Sequence, residues 1–289
     1  MGPSGAAGCR LTDAEVAVAA ARAGAAVVRE AYGSAPQQIG GSRLDVTTEA
    51  DLASERAVLS MLAAHRADDA REGEETGLSG HAAARRRWLV DPLCGTANFA
   101  ATTPLMSVNV ALTQAGAVIA AASVDPITAE VFWTDGEGAW LRTNGHDSVL
   151  TPSASSRLVE INCDGPLSVP FVGGQLLADQ GLRTRWAPRV VSTTLAVAWV
   201  AAGRRAAYIT DGNLEGCVHF SSGIALCRAA GCIVTDLAGG PLHAGRGLIA
   251  APDVSTHEEM VEVVRPHLEA AAQSEDSAAA SPRRETPSP

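Results

Sequence analysis

The sequence predicts a layered α+β fold, and three observations carry that expectation. Two amphipathic helices open the chain, a run of short strands divided by glycine and Asp-Pro turns follows, and helices and strands then alternate to about residue 236. With 289 residues the chain is long enough to bury a substantial core, as one large domain or two joined halves.

Thr12 or Asp13 caps a first helix reaching residue 32, with Val16, Ala19, Ala23 and Val27 at helical spacing and Gly33 to end it. Residues 34–45 read as a polar loop. The stretch 48–64 has the pattern of a second amphipathic helix, with Leu52, Val58 and Leu62 toward the core. A polar loop containing residues 73–80 leads to a short buried strand at 88–90, which ends at Asp91-Pro92. Strands follow at 107–113, 117–124, 130–134 and 139–142, as in an antiparallel meander. Beyond Thr151, strand candidates near 159–162 and 171–175 precede a helix over 194–202 and a strand at 206–209. A helix over 222–230 and an apolar run at 233–236 come next. Residues 1–11 read as a flexible start. The tail 271–289, rich in Ser, Ala, Pro and Glu, reads as disordered.

Composition narrows the functional classes. Hydrophobic residues make up 46 %, and no stretch approaches the length of a membrane span. The first ten residues lack the charged start and apolar run of a secretory signal, so a cytoplasmic location is the default expectation. A net charge of −10 repels phosphate backbones and argues against nucleic acid as a partner. The chain has no lysine, and all 22 basic residues are arginine. Any cation that touches a substrate must therefore be an arginine, a metal or a protonated histidine. The six cysteines (Cys9, Cys94, Cys163, Cys217, Cys227, Cys232) show no paired spacing and read as free thiols, with Cys227 and Cys232 in apolar surroundings.

The strongest chemical signal is Trp88-Leu-Val-Asp-Pro-Leu-Cys-Gly-Thr-Ala-Asn-Phe99. A short hydrophobic strand delivers Asp91 to a turn, and Gly95-Thr96 can open a helix whose amides favour an anion such as phosphate. Gly73-Glu74-Glu75 lies upstream, and Thr48-Glu-Ala-Asp51 puts a further carboxylate at a helix start. Taken singly, each has a plain structural reading as a cap, a solvated loop charge or an Asp-Pro turn. The combination is what points to a site.

In order and spacing these segments resemble the inositol monophosphatase family, whose hallmark is Trp-Ile-hydrophobic-Asp-Pro-Ile-Asp-Gly-Thr preceded by Gly-Glu-Glu. The likeness runs from about Thr12 to His267. It includes Thr47-Thr-Glu-Ala-Asp51, Val124-Asp-Pro-Ile-Thr-Ala-Glu-Val-Phe-Trp133, Val200-Ala-Ala-Gly203 and Ala229-Ala-Gly-Cys-Ile-Val-Thr-Asp-Leu-Ala-Gly-Gly-Pro-Leu242. The resemblance implies an αβαβα sandwich of the inositol monophosphatase and fructose-1,6-bisphosphatase type over residues 12–270, with halves at 12–150 and 151–270. It implies magnesium at a first site made by Glu74, Asp91 and the Leu93 carbonyl. Asp51 and Thr96 would orient and deprotonate the attacking water, and Gly95 and Thr96 would hold the phosphate. The reaction implied is in-line hydrolysis of a phosphomonoester. A homodimer is also common in the family.

Two departures stand out. The second Asp of the hallmark is Cys94 here, and the late Trp-Asp-Val-Ala-Ala-Gly motif aligns with Val218-His-Phe-Ser-Ser-Gly223, so that its Asp is His219. In the family both lost carboxylates ligate the second metal. Asp91, Cys94 and His219 together suit Zn²⁺, Fe²⁺ or Co²⁺ better than Mg²⁺, with Mn²⁺ a further candidate. Three readings stay open. The second site binds such an ion; it is lost, with the first metal or a protonated His219 supporting turnover; or the chain binds a phosphorylated ligand without hydrolysing it. Cys94 as a phosphatase nucleophile is disfavoured, because Ala100 stands where that chemistry wants an arginine.

Substrate residues are expected in Val191-Ser-Thr-Thr194, with Ser192 and Thr193 foremost, and in the loop 210–216. There Asp211 and Glu215 are the counterparts of the family's substrate-contacting acid. With the hydroxyl-binding carboxylates altered, a sugar phosphate, a nucleotide or a biosynthetic intermediate is as plausible as inositol phosphate. Arg43, in the loop before Asp51, could stand in for a basic residue that some relatives use near the metals, though its plainer reading is a solvated loop charge.

Overall fold

Two capping boxes set the start of the structure. Thr12 and Glu15 exchange backbone and side-chain hydrogen bonds at the head of the first helix, and Thr48 and Asp51 do the same at the second. The computed structural model describes residues 10–34, 38–41, 46–81, 83–164, 171–212, 214 and 216–280, without the side chains of 38–41 and 275–280.

In chain order the elements begin with α1 (Asp13–Ala31), β1 (Gln38–Gly41), β2 (Val46–Thr48) and α2 (Glu49–His65). Then come β3 (Ala70–Gly73), β4 (Gly77–Gly80), β5 (Arg86–Cys94), α3 (Thr96–Ala100), β6 (Ser107–Gln114) and β7 (Ala117–Val124). The hairpins β8 (Val131–Thr134), β9 (Ala139–Thr143) and β10 (His146–Val149) complete this stretch. After it run β11 (Leu158–Ile161), α4 (Val172–Ala178), α5 (Gln180–Arg185), β12 (Ala187–Arg189), α6 (Leu195–Ala201) and β13 (Ala207–Thr210). The chain ends with α7 (Ser221–Ala229), β14 (Ile233–Thr235), β15 (Leu248–Ala251) and α8 (Val254–Ala280).

These elements form two units. The first is Met1–Val149 together with Val218–Ala229, and the second is Leu150–Cys217 with Ala230–Pro289. In the first, an eight-stranded sheet has the order β10-β9-β8-β7-β6-β5-β3-β4, antiparallel except for the β3–β5 pair. Val108, Val110 and Leu112 of β6 pack on α1 and α2, and the alternate residue Ala111 faces the other way, onto α7 through Ala225. In the second unit a five-stranded sheet, β12-β11-β13-β15-β14, packs Val159, Ile161 and Ile209 against Val172, Leu176 and the Met260–Val264 turn of α8. Among the described residues, no helix is long and apolar enough to cross a membrane.

The structure corrects four expectations. The loop read at 34–45 contains β1, paired with β2. Residues 70–80 form a β3–β4 hairpin with Glu74, Glu75 and Thr76 in its turn. The apolar run 171–175 belongs to a helix, because Asp211 accepts the Val172 N–H at 3.1 Å and so satisfies a helix-start donor that local sequence leaves open. The tail read as disordered from 271 is helical to Ala280, since alanine carries no helix penalty and Ala271 is buried in the second core, and residues 281–289 lie outside the described residues. None of the five described cysteines is in a disulfide, and Cys227 and Cys232 are buried.

An ion network locks the back of the first unit. Asp13 accepts from Arg66 at 2.7 Å and Arg86 at 2.8 Å, and Asp69 accepts from Arg86 at 3.0 Å and from the Trp88 indole at 2.9 Å. Burial alone would raise the Asp13 carboxyl, but the hydrogen bonds from Arg86 and Arg66 outweigh it and hold it below the usual 3.8. Asp13→Asn is expected to cost about 1–2 kcal/mol near neutral pH. A depressed carboxylate contributes above its unfolded pKa and stops contributing as pH falls through its folded one. The gap between variant and parent should therefore close below pH 3.8, which paired thermal melts at pH 7 and pH 3 would show.

Candidate active site

The site begins with an irregularity in β5. Asp91 pairs with Asn109 and Cys94 with Ser107, so three residues of β5 span what two span on β6. In a regular strand, side chains three apart point to opposite faces. The extra residue resets that alternation, and Pro92, which has no N–H to offer the ladder, sits inside the bulge. Gly95 then turns the chain at φ 102°, where a Cβ would stand 2.8 Å from the Leu105 carbonyl. Thr96 opens α3 directly after it.

His219 arrives from the turn before α7. Its Nδ1 lies 2.9 Å from Asp91 Oδ2, and its Nε2 lies 3.7 Å from Glu74 Oε1. One ligand atom each from Asp91, Cys94 and His219 fall within 4.8 Å of one another. Asp91 is fully buried, and its Oδ1 has no hydrogen-bond partner. A buried carboxylate oxygen left this way is costly unless a cation faces it. Glu74 carries the same strain. Burial and then the Asp91 charge push its carboxyl up to about 9, against the favourable pull of His219. A divalent ion fits this donor set.

Beside the cluster is a second pair. Thr96 Oγ lies 2.9 Å from Asp51 Oδ1 and 3.0 Å from the Leu93 carbonyl, so its single proton can go to either. Asp51 is 1 % exposed. Its Oδ2 accepts from the Thr48 hydroxyl at 2.6 Å and the Thr48 amide at 2.8 Å. Burial raises its carboxyl above 3.8 even though these bonds and the one from Thr96 pull the other way.

Supporting residues were not singled out from sequence. Glu55, fully buried on α2, accepts from the Glu75 amide at 2.9 Å, the Thr76 amide at 3.0 Å and the Thr76 hydroxyl at 2.5 Å. It clamps the turn that carries Glu74, and it explains Gly73, where a Cβ would stand 2.4 Å from the Glu55 carboxyl. The available signal was a carboxylate on the buried stripe of α2, four residues after Asp51. Glu55→Gln turns an NH₂ toward one of these donors. A loss of about 1–3 kcal/mol in thermal stability is expected, along with metal affinity weaker by about tenfold through the loosened Glu74 turn. Calorimetric melting and metal titration would check both.

Asn109, Ser123 and Ser222 form the other support. Ser123 and Ser222 hydroxyls donate to Asn109 Oδ1 at 2.7 and 3.2 Å, which fixes the amide so that Nδ2 reaches Asp91 Oδ2 at 3.3 Å.

The remaining candidates belong to the second unit. Ser192 has φ 48°, and Thr193 is buried with its hydroxyl accepting the Leu195 amide. Asp211 is not an open substrate acid. Its carboxylate accepts from Arg246 at 2.6 and 2.7 Å, from the Val172 amide and from the Gly212 amide at 2.8 Å, and it anchors α4. Glu215 and Arg43 lie outside the described residues.

Comparison with known proteins identifies the family. The model of the inositol monophosphatase family matches residues 11–269. An inositol-1-monophosphatase of Caulobacter vibrioides is 30 % identical over 233 residues, covering 76 % of this chain and 88 % of the relative. A Nus factor SuhB of Pseudomonas aeruginosa is 30 % identical over 240 residues, covering 78 % and 84 %. Among solved structures, the IMPase of Thermotoga maritima superposes with a TM-score of 0.74 at 21 % identity, over 88 % of this chain and 97 % of that one. Fold and matches together define an α+β protein of the metal-dependent phosphatase superfamily. The chain belongs to the inositol monophosphatase family.

Proposed function

We propose that this protein hydrolyses a small phosphomonoester, such as a sugar phosphate, a nucleotide or a biosynthetic intermediate, by in-line attack of water. Glu74, Asp91 and the Leu93 carbonyl would hold a magnesium ion, whose oxygen preference they suit, and Cys94 and His219 alter the second metal position. When bound, such ions neutralise phosphoryl oxygens and acidify water. The chain's own part is proton handling and placement. Thr96 accepts a proton from the attacking water while passing its own to Asp51, and the burial of Asp51 raises its basicity for that task. Gly95 and Thr96, at the turn into α3, are the phosphate contacts. The supporting observation is the buried Asp51–Thr96 bond beside an acid cluster, because a protein that only binds phosphate needs no base.

One observation favours a second reading. The His219 ring already meets Asp91 at 2.9 Å, a contact that a non-hydrolytic relative could keep as a permanent ion pair. The likeness to a Nus factor shows that family resemblance extends to proteins named for other work. Hydrolysis of p-nitrophenyl phosphate with Mg²⁺, Mn²⁺, Co²⁺ and Zn²⁺ in turn separates the two. Metal-dependent turnover that Glu74→Ala removes is the expected result. A silent parent revived by Cys94→Asp/His219→Asp would favour the second reading.

A further inference from the structure

We infer that Asp91, Cys94 and His219 form a thiolate–imidazole–carboxylate centre for a single zinc-type ion, with His219 bound through Nδ1 and its Nε2–H turned to Glu74. The inference deepens the reading of this cluster as the altered second site, and shares with it only the claim that a metal binds there.

Four observations support it. First, the three donors are close enough. Zinc bonds of about 2.0–2.3 Å put two ligand atoms at most about 4.4 Å apart, and these donors, within 4.8 Å of one another without an ion, need draw in only slightly to reach it. Second, the carboxylate is set for a cation, since Asp91 is fully buried with Oδ1 unpartnered. Third, the ring orientation assigns the ligand atom. Nδ1 faces Asp91 at 2.9 Å, and Nε2 faces the Glu74 carboxylate at 3.7 Å. Histidines that bind metal through one nitrogen commonly give the other N–H to a carboxylate, which fixes tautomer and plane.

Fourth, the outer support is built from three separate elements. Ser123 on β7 and Ser222 on α7 hold the Asn109 amide of β6, which in turn donates to Asp91. Such a chain holds a ligand carboxylate in place before the ion arrives. One carboxylate and one thiolate carry two negative charges and so balance a divalent ion. A soft thiolate and a borderline imidazole are donors that Zn²⁺ and Co²⁺ take and that Mg²⁺, which prefers oxygen, does not. Binding releases the Cys94 proton to solvent as the sulfur–metal bond forms.

Cobalt is the probe. Metal-stripped full-length protein titrated with Co²⁺ should develop a near-ultraviolet sulfur-to-cobalt charge-transfer band that saturates at one equivalent. Zn²⁺ should bleach it, and a hundredfold excess of Mg²⁺ should leave it in place. Cys94→Ser should abolish the band while leaving the metal-free melting temperature close to that of the parent. His219→Ala should weaken cobalt binding at least tenfold, and Glu74→Gln should weaken it with the band retained. Cobalt bound without the band, a band that survives Cys94→Ser, or displacement by equimolar Mg²⁺ would overturn the assignment. Turnover is not the readout. A protein that hydrolyses phosphate with Mg²⁺ but shows no band keeps the proposed function and loses this centre, and the reverse result keeps the centre alone.

Discussion

Asp91→Asn is expected to lower metal-dependent hydrolysis about a thousandfold while making the metal-free protein more stable. The catalytic loss follows from removing the carboxylate common to both proposed ion positions. Ion-based charge stabilisation is worth several kcal/mol, and each 1.36 kcal/mol is a factor of ten in rate. The stability gain follows from the unpartnered Oδ1. An amide there is uncharged and can donate to Glu74, which relieves the like-charge contact and the unpartnered oxygen, although it weakens the contact with His219. A rise of a few degrees in melting temperature is expected, at about 2–4 °C per kcal/mol for a domain of this size.

The pH dependence sharpens the test. Metal-free Glu74 titrates in the fold at about 9 rather than 4.5, so between these values the folded chain holds a proton that the unfolded chain has lost. Stability of the metal-free parent must then decline as pH rises through that window. Asp91→Asn removes the neighbouring charge and should flatten the decline. Melting curves in chelator across the window, paired with kcat in Mg²⁺, read both effects. Full activity in the variant, or a lower melting temperature, would contradict the assignment.

The second large effect is expected at the Asp51–Thr96 pair. Asp51→Asn and Thr96→Val should each lower kcat by about 10²–10⁴, the usual range for a positioned proton acceptor. Metal affinity should stay near that of the parent. Thr96→Ser should restore most of the rate, because it keeps the hydroxyl that reaches both Asp51 Oδ1 and the Leu93 carbonyl. The parent's acid limb should lie above 3.8, since burial raises Asp51 and a base works only when deprotonated. If Thr96→Val is as active as the parent, the proton route fails and Asp51 is left as a helix cap.

Much of the frame was legible because local chemistry decided it. Thr12 and Thr48 begin α1 and α2 through their own side chains, and β6 and β7 are long apolar runs between glycine turns. The misreadings fell where distant residues decide. Gly-, Glu- and Ser-bearing stretches such as 70–80 carry weak strand propensity, and they become strands because β5 offers a parallel neighbour. The run at 171–175 is too short for periodicity to separate helix from strand, and Asp211, some forty residues away, settles it.

The candidate site divides in the same way. Asp51, Asp91 and Thr96 sit in motifs with a chemical logic of their own. Glu55, Asn109, Ser123 and Ser222 are ordinary polar residues in sequence, and their task exists only once four elements meet. Asp211 is the converse case, an acid that looked exposed to ligand in sequence and is consumed by Arg246.

The return of residues 218–229 to the first unit has a consequence for biogenesis. A nascent chain that has emerged only as far as Val149 still lacks the helix that covers Leu89, Ala111 and Ala121, so that sheet face stays wet until some eighty further residues leave the ribosome. His219 travels on the same late segment. A fragment cut after Val149 should be sticky and would lack His219, one of the three donors of the proposed metal centre, however well its sheet has formed.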